Sequence, residues 1–130
     1  MTAYDPENIF AKILNGSIPC NEIDQDETTL SFEDINPQAP VHSLVIPKGA
    51  YTDLTDFAAR ASDAEIAGWV RALARVAASK GVDGPGYRVI MNCGGHAHQE
   101  VPHLHGHVLG GRPLGPMLTR NDCPQPLSGD

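Results

Sequence analysis

Five of the six histidines of this chain fall between positions 96 and 107, and three of them alternate: His103, His105 and His107. On a β-strand, alternate side chains share one face. The three imidazoles would stand roughly 6.6–6.8 Å apart along it, with Leu104 and Val108 turned toward a core. A solvated face that happens to be rich in histidine is the plainest reading. A buried row is more demanding, because each imidazole then needs a partner for both nitrogens. Two chemistries suit such a row. Imidazole is the commonest zinc ligand, but three successive residues on a flat strand converge poorly on one tetrahedral ion. Neutral imidazole is also a good nucleophile toward phosphorus, and its protonated or N–H form is a good acid and donor. A row of three can divide those roles: one ring attacks while its neighbours hold oxygens and protonate the group that leaves.

Such a row needs elements to hold it. Alternation predicts a strand from His103 to Leu109, and β-branched and aromatic residues predict another from Tyr87 to Asn92. Between them, Gly94 to Glu100 reads as a loop. Thr28 to Phe32 alternates with Leu30 and Phe32 facing inward, and Ser43 to Ile46 reads as a buried strand closed by Pro47. Asn36 to Pro40 is a rigid loop. Ser62-Asp63-Ala64-Glu65 is a capping-box pattern, and Ile66, Trp69, Val70, Leu73, Ala74 and Ala77 form one stripe, so a helix is expected over 62–80, ended by Gly81. Asp5-Pro6-Glu7 predicts the start of a short N-terminal helix with Ile9, Phe10, Ile13 and Leu14 on one side and Gly16 as its stop. The expected class is α+β: an antiparallel sheet with one long helix and a short N-terminal one. Residues 1–111 read as the folded domain, and 112–130, broken by prolines and glycines, as its extended, irregular tail.

The 130 residues fit one domain. With 9 basic and 16 acidic side chains the net charge is −7, which excludes a general binder of nucleic acid or of anionic membrane but not a site for one small phosphate compound. No stretch approaches the ~20 apolar residues of a membrane span, and the first residues lack a signal-peptide pattern. Three scattered cysteines, Cys20, Cys93 and Cys123, suit free thiols in a cytoplasmic setting.

The run His103-Leu104-His105-Gly106-His107-Val108-Leu109 resembles the signature of the histidine triad superfamily. Further segments resemble its nucleotide-binding, phosphoramidase branch, in the same order: Asn8 to Ile13, Phe32 to His42, Leu44 to Lys48, Gln99 to Pro102 and Gly110 to Leu118. The resemblance spans residues 8–118 and implies a homodimer, with the helix of Trp69 and the strand near Tyr87 as its interface. It implies hydrolysis of the P–N bond of purine nucleoside 5′-phosphoramidates. His105 would be the nucleophile that forms a nucleotidyl-histidine. His107 would bind the phosphate and help protonate the amine, and His103 and His42 would support the proton network. Asp34 would grip the ribose, Asn92 and Gln99 would contact the phosphate side, and Ile9, Phe10, Ile13 and Ile35 would line the slot for the base. No cofactor and no metal are implied. In this branch the tail would reach the partner's site.

Each role has a plainer rival. Asp34 could close an Asx turn, Ile9 and Phe10 could be core, His42 could be a packing residue, and Asn92 and Gln99 could only hold the loop. His96 and His98 read as exposed loop residues without chemistry. The same superfamily also offers cleavage of dinucleoside polyphosphates or nucleotidyl transfer, and a nucleotide- or metal-binding protein without turnover is a third reading. Three positions depart from the pattern. Gly106 stands where an apolar side chain is usual, so looser packing behind the nucleophile is expected. His98 replaces a glycine, which narrows the leaving-group side or adds an imidazole to it. Glu100 replaces a serine, and a carboxylate near phosphate is unhelpful unless it turns away. Asn8-Ile9-Phe10-Ala11 lacks the C-x-x-C that holds a structural zinc in some relatives.

Overall fold

A computed structural model describes residues 3–118. Its elements, in chain order, are α1 (Ile9–Leu14), β1 (Glu22–Gln25), β2 (Thr29–Glu33), β3 (Val41–Pro47), α2 (Leu54–Arg60), α3 (Asp63–Ser79), β4 (Tyr87–Ile90) and β5 (Gly106–Gly110). The five strands form one antiparallel sheet in the order β1-β2-β3-β5-β4. The α+β class is as expected, with a third helix, α2, that periodicity did not reveal. The pairing of β3 with β5 sets Leu44 opposite His107 and His42 opposite Leu109 at the centre of the sheet.

Both sheet faces are covered. On one, α3 lays Trp69, Ala72, Leu73, Val76 and Ala77 against Val45, Leu104 and Val108. On the other, Phe10 of α1 packs with Leu30, Phe32, Leu44 and Ile46. This corrects the one-sided reading of the second strand: Thr29 and Ser31 are as buried as Leu30 and Phe32, because α3 closes the face they point to. The capping box of α3 forms as the sequence indicates, with Ser62 accepting from the amide of Glu65 and Glu65 reaching back to the amide of Ser62. Arg75 ties this helix to Asp24 and Asp26 across β1 and β2.

Several boundaries differ from expectation: β3 starts at Val41 rather than Ser43, and β4 ends at Ile90 rather than Asn92. α1 starts at Ile9 rather than at Pro6. Its N-cap is Asn8, whose side chain accepts from the amide of Ala11 at 2.9 Å. Asp5 instead closes a turn of its own on the amide of Glu7 at 2.9 Å. The last strand starts at Gly106 rather than at His103. The preceding backbone bonds elsewhere: Leu104 donates to the carbonyl of Tyr51 at 2.8 Å and His103 to that of Val101 at 2.9 Å. Alternation of faces nevertheless continues through the segment.

Trp69 cannot serve as an interface residue, because its ring is buried beneath Gly106 with Nε1 donating to the carbonyl of Val45 at 3.1 Å. Val70 and Tyr87 are the exposed apolar side chains of those two elements. The tail is irregular as far as Leu118; the rest of it, with Cys123, lies outside the described residues.

Candidate active site

Four imidazoles have hydrogen-bond partners that fix where their protons sit. A carbonyl can only accept and a backbone amide can only donate. His103 Nε2 lies 2.8 Å from the carbonyl of Pro47, so Nε2 carries the proton and Nδ1 accepts from the hydroxyl of Tyr4 at 2.7 Å. His105 Nδ1 lies 2.7 Å from the carbonyl of His103, so it donates there and Nε2 is left with a bare lone pair. His42 Nδ1 accepts from the amide of Gln38 at 3.0 Å, so in the neutral ring Nε2 is the donor. That nitrogen points at Nδ1 of His107, 2.8 Å away, and has Asp34 Oδ2 at 3.3 Å. His107 therefore accepts at Nδ1 and keeps its proton on Nε2.

Burial keeps these rings neutral. Loss of hydration pushes His103 down to about 4, despite its bond to the Pro47 carbonyl. His107 is also lowered to about 4, by burial first and then by the neighbouring His105 and His42. His105 and His42 are lowered too, mainly by burial. At neutral pH the arrangement is a free lone pair on His105 beside an N–H donor on His107. The His105 ring is held edge-on against Phe10, centroids 5.0 Å apart, and is set 5.1 Å from the His107 ring.

His105 and His107 line a cavity of about 330 Å³. One of its walls carries Ile9, Phe10, Ile13 and Ile35, the residues expected around a base, together with Ile18, Pro19, Cys20, Phe32 and Leu44, which the sequence reading did not place there. Asp34 and Asn92 also line it. Asp34 does close an Asx turn, accepting from the amide of Asn36 at 2.7 Å through Oδ1, but its Oδ2 remains beside His42. His42 and His103 are buried and off the lining; His42 meets His107 through its ring, and His103 meets His105 through its backbone carbonyl.

Gln99 is placed differently from expectation. It does not line the cavity. Its Oε1 accepts from the amide of Gly94, and its Nε2 donates to the carbonyls of Thr52 and Val101. It clamps the loop over 94–101. His98, given no chemistry of its own but expected beside the leaving-group side, lines the cavity, as does Glu100. Tyr4 was missed altogether, since nothing in its sequence context links it to a residue 99 positions away.

The packing behind His105 is tight rather than loose. A Cβ on Gly106 would come within 2.8 Å of Leu73 Cδ2 and 3.2 Å of Trp69 Cζ2. The large indole fills the space that a side chain on β5 would otherwise take.

Asp34, His42 and His107 offer donor atoms that all lie within 4.8 Å of one another, enough to gather around a cation. The two imidazole nitrogens already share a proton at 2.8 Å, which a metal would have to displace. A larger hollow of about 600 Å³ lies beside β4, lined by Lys80, Tyr87, Arg88 and Arg112 but, among the described residues, by no histidine or carboxylate. Its arginines are occupied by backbone carbonyls, Arg88 by Gly115 and Arg112 by Pro113 and Gln38.

A family model described as the HIT domain matches residues 15–114. An uncharacterised 13.2 kDa HIT-like protein of Azospirillum brasilense is 61% identical over 117 residues, covering 90% of this chain and 96% of that protein. The purine nucleoside phosphoramidase of Escherichia coli is 44% identical over 113 residues, covering 87% and 94%. Among solved structures, a histidine triad protein from Clostridium difficile superposes with a TM-score of 0.76 at 40% identity, covering 89% of this chain and 98% of that one. A HIT family hydrolase from Legionella pneumophila gives 0.75 at 35% identity, covering 84% and 96%.

Proposed function

The chain belongs to the HIT domain family, and from that premise we propose that it hydrolyses the P–N bond of purine nucleoside 5′-phosphoramidates. The observation that carries this reading is the lone pair on His105 Nε2. It is left bare by the bond from Nδ1 to the carbonyl of His103, and the ring lines an open cavity. In the first step Nε2 attacks the phosphorus. A P–Nε2 bond forms and the bond to the leaving nitrogen breaks, that nitrogen taking the electron pair and a proton. His107 Nε2–H is assigned to hold the phosphoryl oxygens and to supply the proton, backed by His42 and Asp34. Water then attacks phosphorus and gives its proton back to His107 Nε2, the P–Nε2 bond breaks, and the lone pair returns to His105. Two easier displacements replace one hard one.

Asp34 is assigned to the ribose hydroxyls and the apolar wall to the purine. Wall contacts with few polar groups suit either purine better than strict base selection. The phosphoramidase relative supports the same reaction class. Cleavage of dinucleoside polyphosphates is the second reading, and one feature weighs against it. Among the described residues no lysine or arginine lines the cavity, while two carboxylates do. A polyphosphate chain would enter without counter-charge. The test compares wild type and His105→Ala on an adenosine 5′-phosphoramidate and on a diadenosine polyphosphate. The proposal expects the phosphoramidate to be the faster substrate, and the variant to lose that activity. Faster polyphosphate cleavage would replace the reading.

A homodimer through the outer edge of β4, where Tyr87 is exposed, accompanies the proposal. Sedimentation at micromolar concentration should show twice the 13.9 kDa chain mass. A cytoplasmic, reducing setting would suit the free thiols of Cys20 and Cys93.

A further inference from the structure

The cavity has two walls of different character. The nucleoside, in the reading above, is assigned to the wall formed by α1 and Asp34. What remains beside His105 and His107 on the lining is polar, Asn92, His98 and Glu100, whereas Val101 packs with the apolar side. The leaving group has to lie against this second wall.

The loop that builds it is held in an unusual shape. His98 has φ 62° and ψ 41°, the left-handed region, and it is the one non-glycine residue there among the described residues. L side chains adopt this conformation rarely, and where they do, a fixed surrounding structure must impose it. Gln99 supplies that constraint through its three hydrogen bonds to Gly94, Thr52 and Val101. The result turns two solvent-facing side chains over the cavity mouth, with His98 Nε2 and Glu100 Oε1 3.8 Å apart. Glu100 therefore does not turn away from the site. With no lysine or arginine on the lining of the described residues, its charge is not neutralised by a fixed cation there.

We propose that Glu100 selects the leaving group by charge, favouring amines that carry a second, positively charged group over those that carry a carboxylate or phosphate. The inference rests on the phosphoramidase reading and adds to it the class of leaving group. Glu100 is well exposed, so its field is screened by water. A unit charge at roughly 7 Å in a near-aqueous medium changes a rate constant about threefold, and exchanging a cation for an anion changes it about tenfold. Added salt should shrink the effect.

The test uses the full chain and three adenosine 5′-phosphoramidates whose leaving amines have equal length and end in a methyl, an ammonium or a carboxylate. For wild type, kcat/KM should fall in the order ammonium, methyl, carboxylate, with about a tenfold span. Glu100→Gln should compress the span to within about twofold, and Glu100→Lys should reverse the order. Melting curves confirm that both variants fold. A wild-type span that is absent, or one that Glu100→Gln leaves intact, overturns the inference while the phosphoramidase reading stands. No turnover of the methyl-ended compound by wild type defeats that underlying reading, and this inference with it.

Discussion

Leu104, Gly106 and Val108 turn toward α3, while His103, His105 and His107 turn the opposite way, so one short segment separates two kinds of order. On the first face the order comes from packing. Leu104 and Val108 are buried, and Gly106 has no room for a Cβ under Leu73 and Trp69. On the second it comes from directional hydrogen bonds to carbonyls and an amide, which fix a proton on each ring. The packed face sets where the segment lies, to within a fraction of an ångström. The bonded face sets which nitrogen is free to react. Removing a methylene group from the first should cost stability, whereas removing one nitrogen from the second should cost chemistry.

That contrast can be broken in several ways. His105→Ala should lower kcat by at least about a thousandfold with little change in melting temperature, since it deletes the attacking atom. Leu104→Ala should do the reverse, costing about 2–5 kcal/mol of stability while the folded fraction keeps much of its kcat. Denaturant melts and steady-state kinetics on both variants measure the two effects. If both lose stability and activity in proportion, the two faces are not separable.

Gly106→Ala should destabilise by about 1–3 kcal/mol through overpacking. Adding Leu73→Ala removes the atom met at 2.8 Å and should return part of that loss in thermal melts. The two changes would then couple, as neighbours in contact do.

Acid should weaken the bonded face first. His103 and His107 ionise near pH 4 in the folded chain but near 6.5 when unfolded. Between these limits the unfolded chain binds more protons, so folding stability falls as pH drops from about 6.5 to about 4 and then levels. His103→Asn should reduce that slope by about one proton, seen as a smaller difference between melts at pH 7 and pH 4.5. Tyr4→Phe removes a hydrogen bond from His103 Nδ1 and should have the smallest effect, about 0.5–1.5 kcal/mol, with kcat nearly unchanged.

The two faces also differ in how far the sequence exposed them. The alternation over 103–109 was legible, as was the capping box of α3, because each is a local pattern with its own physical cause. The three histidines do share a face, and His105 and His107 do meet at one cavity. The first two turned out to precede the strand, since the carbonyls of Tyr51 and Val101 capture the amides that would have extended it. Partners distant in sequence were not legible. Tyr4 and Pro47 on His103, Gln38 on His42 and Trp69 under Gly106 each depend on tertiary approach. Gln99 was read by position as a phosphate contact, yet three hydrogen bonds engage it in the loop. The short strand β1 carries a single apolar residue, Ile23, and helix α2 went unread although Asp53 caps it. The place of His98 beside the leaving-group side was legible from the glycine it replaces, but its left-handed backbone was not.

The central claim is that the lone pair of His105 forms a bond to phosphorus before water does. It is tested most directly by the stereochemical course at phosphorus, using a nucleoside phosphoramidothioate of known configuration hydrolysed in oxygen-18 water. Two successive displacements predict net retention. Net inversion would mean that water attacks directly, and His105 would then not be the nucleophile.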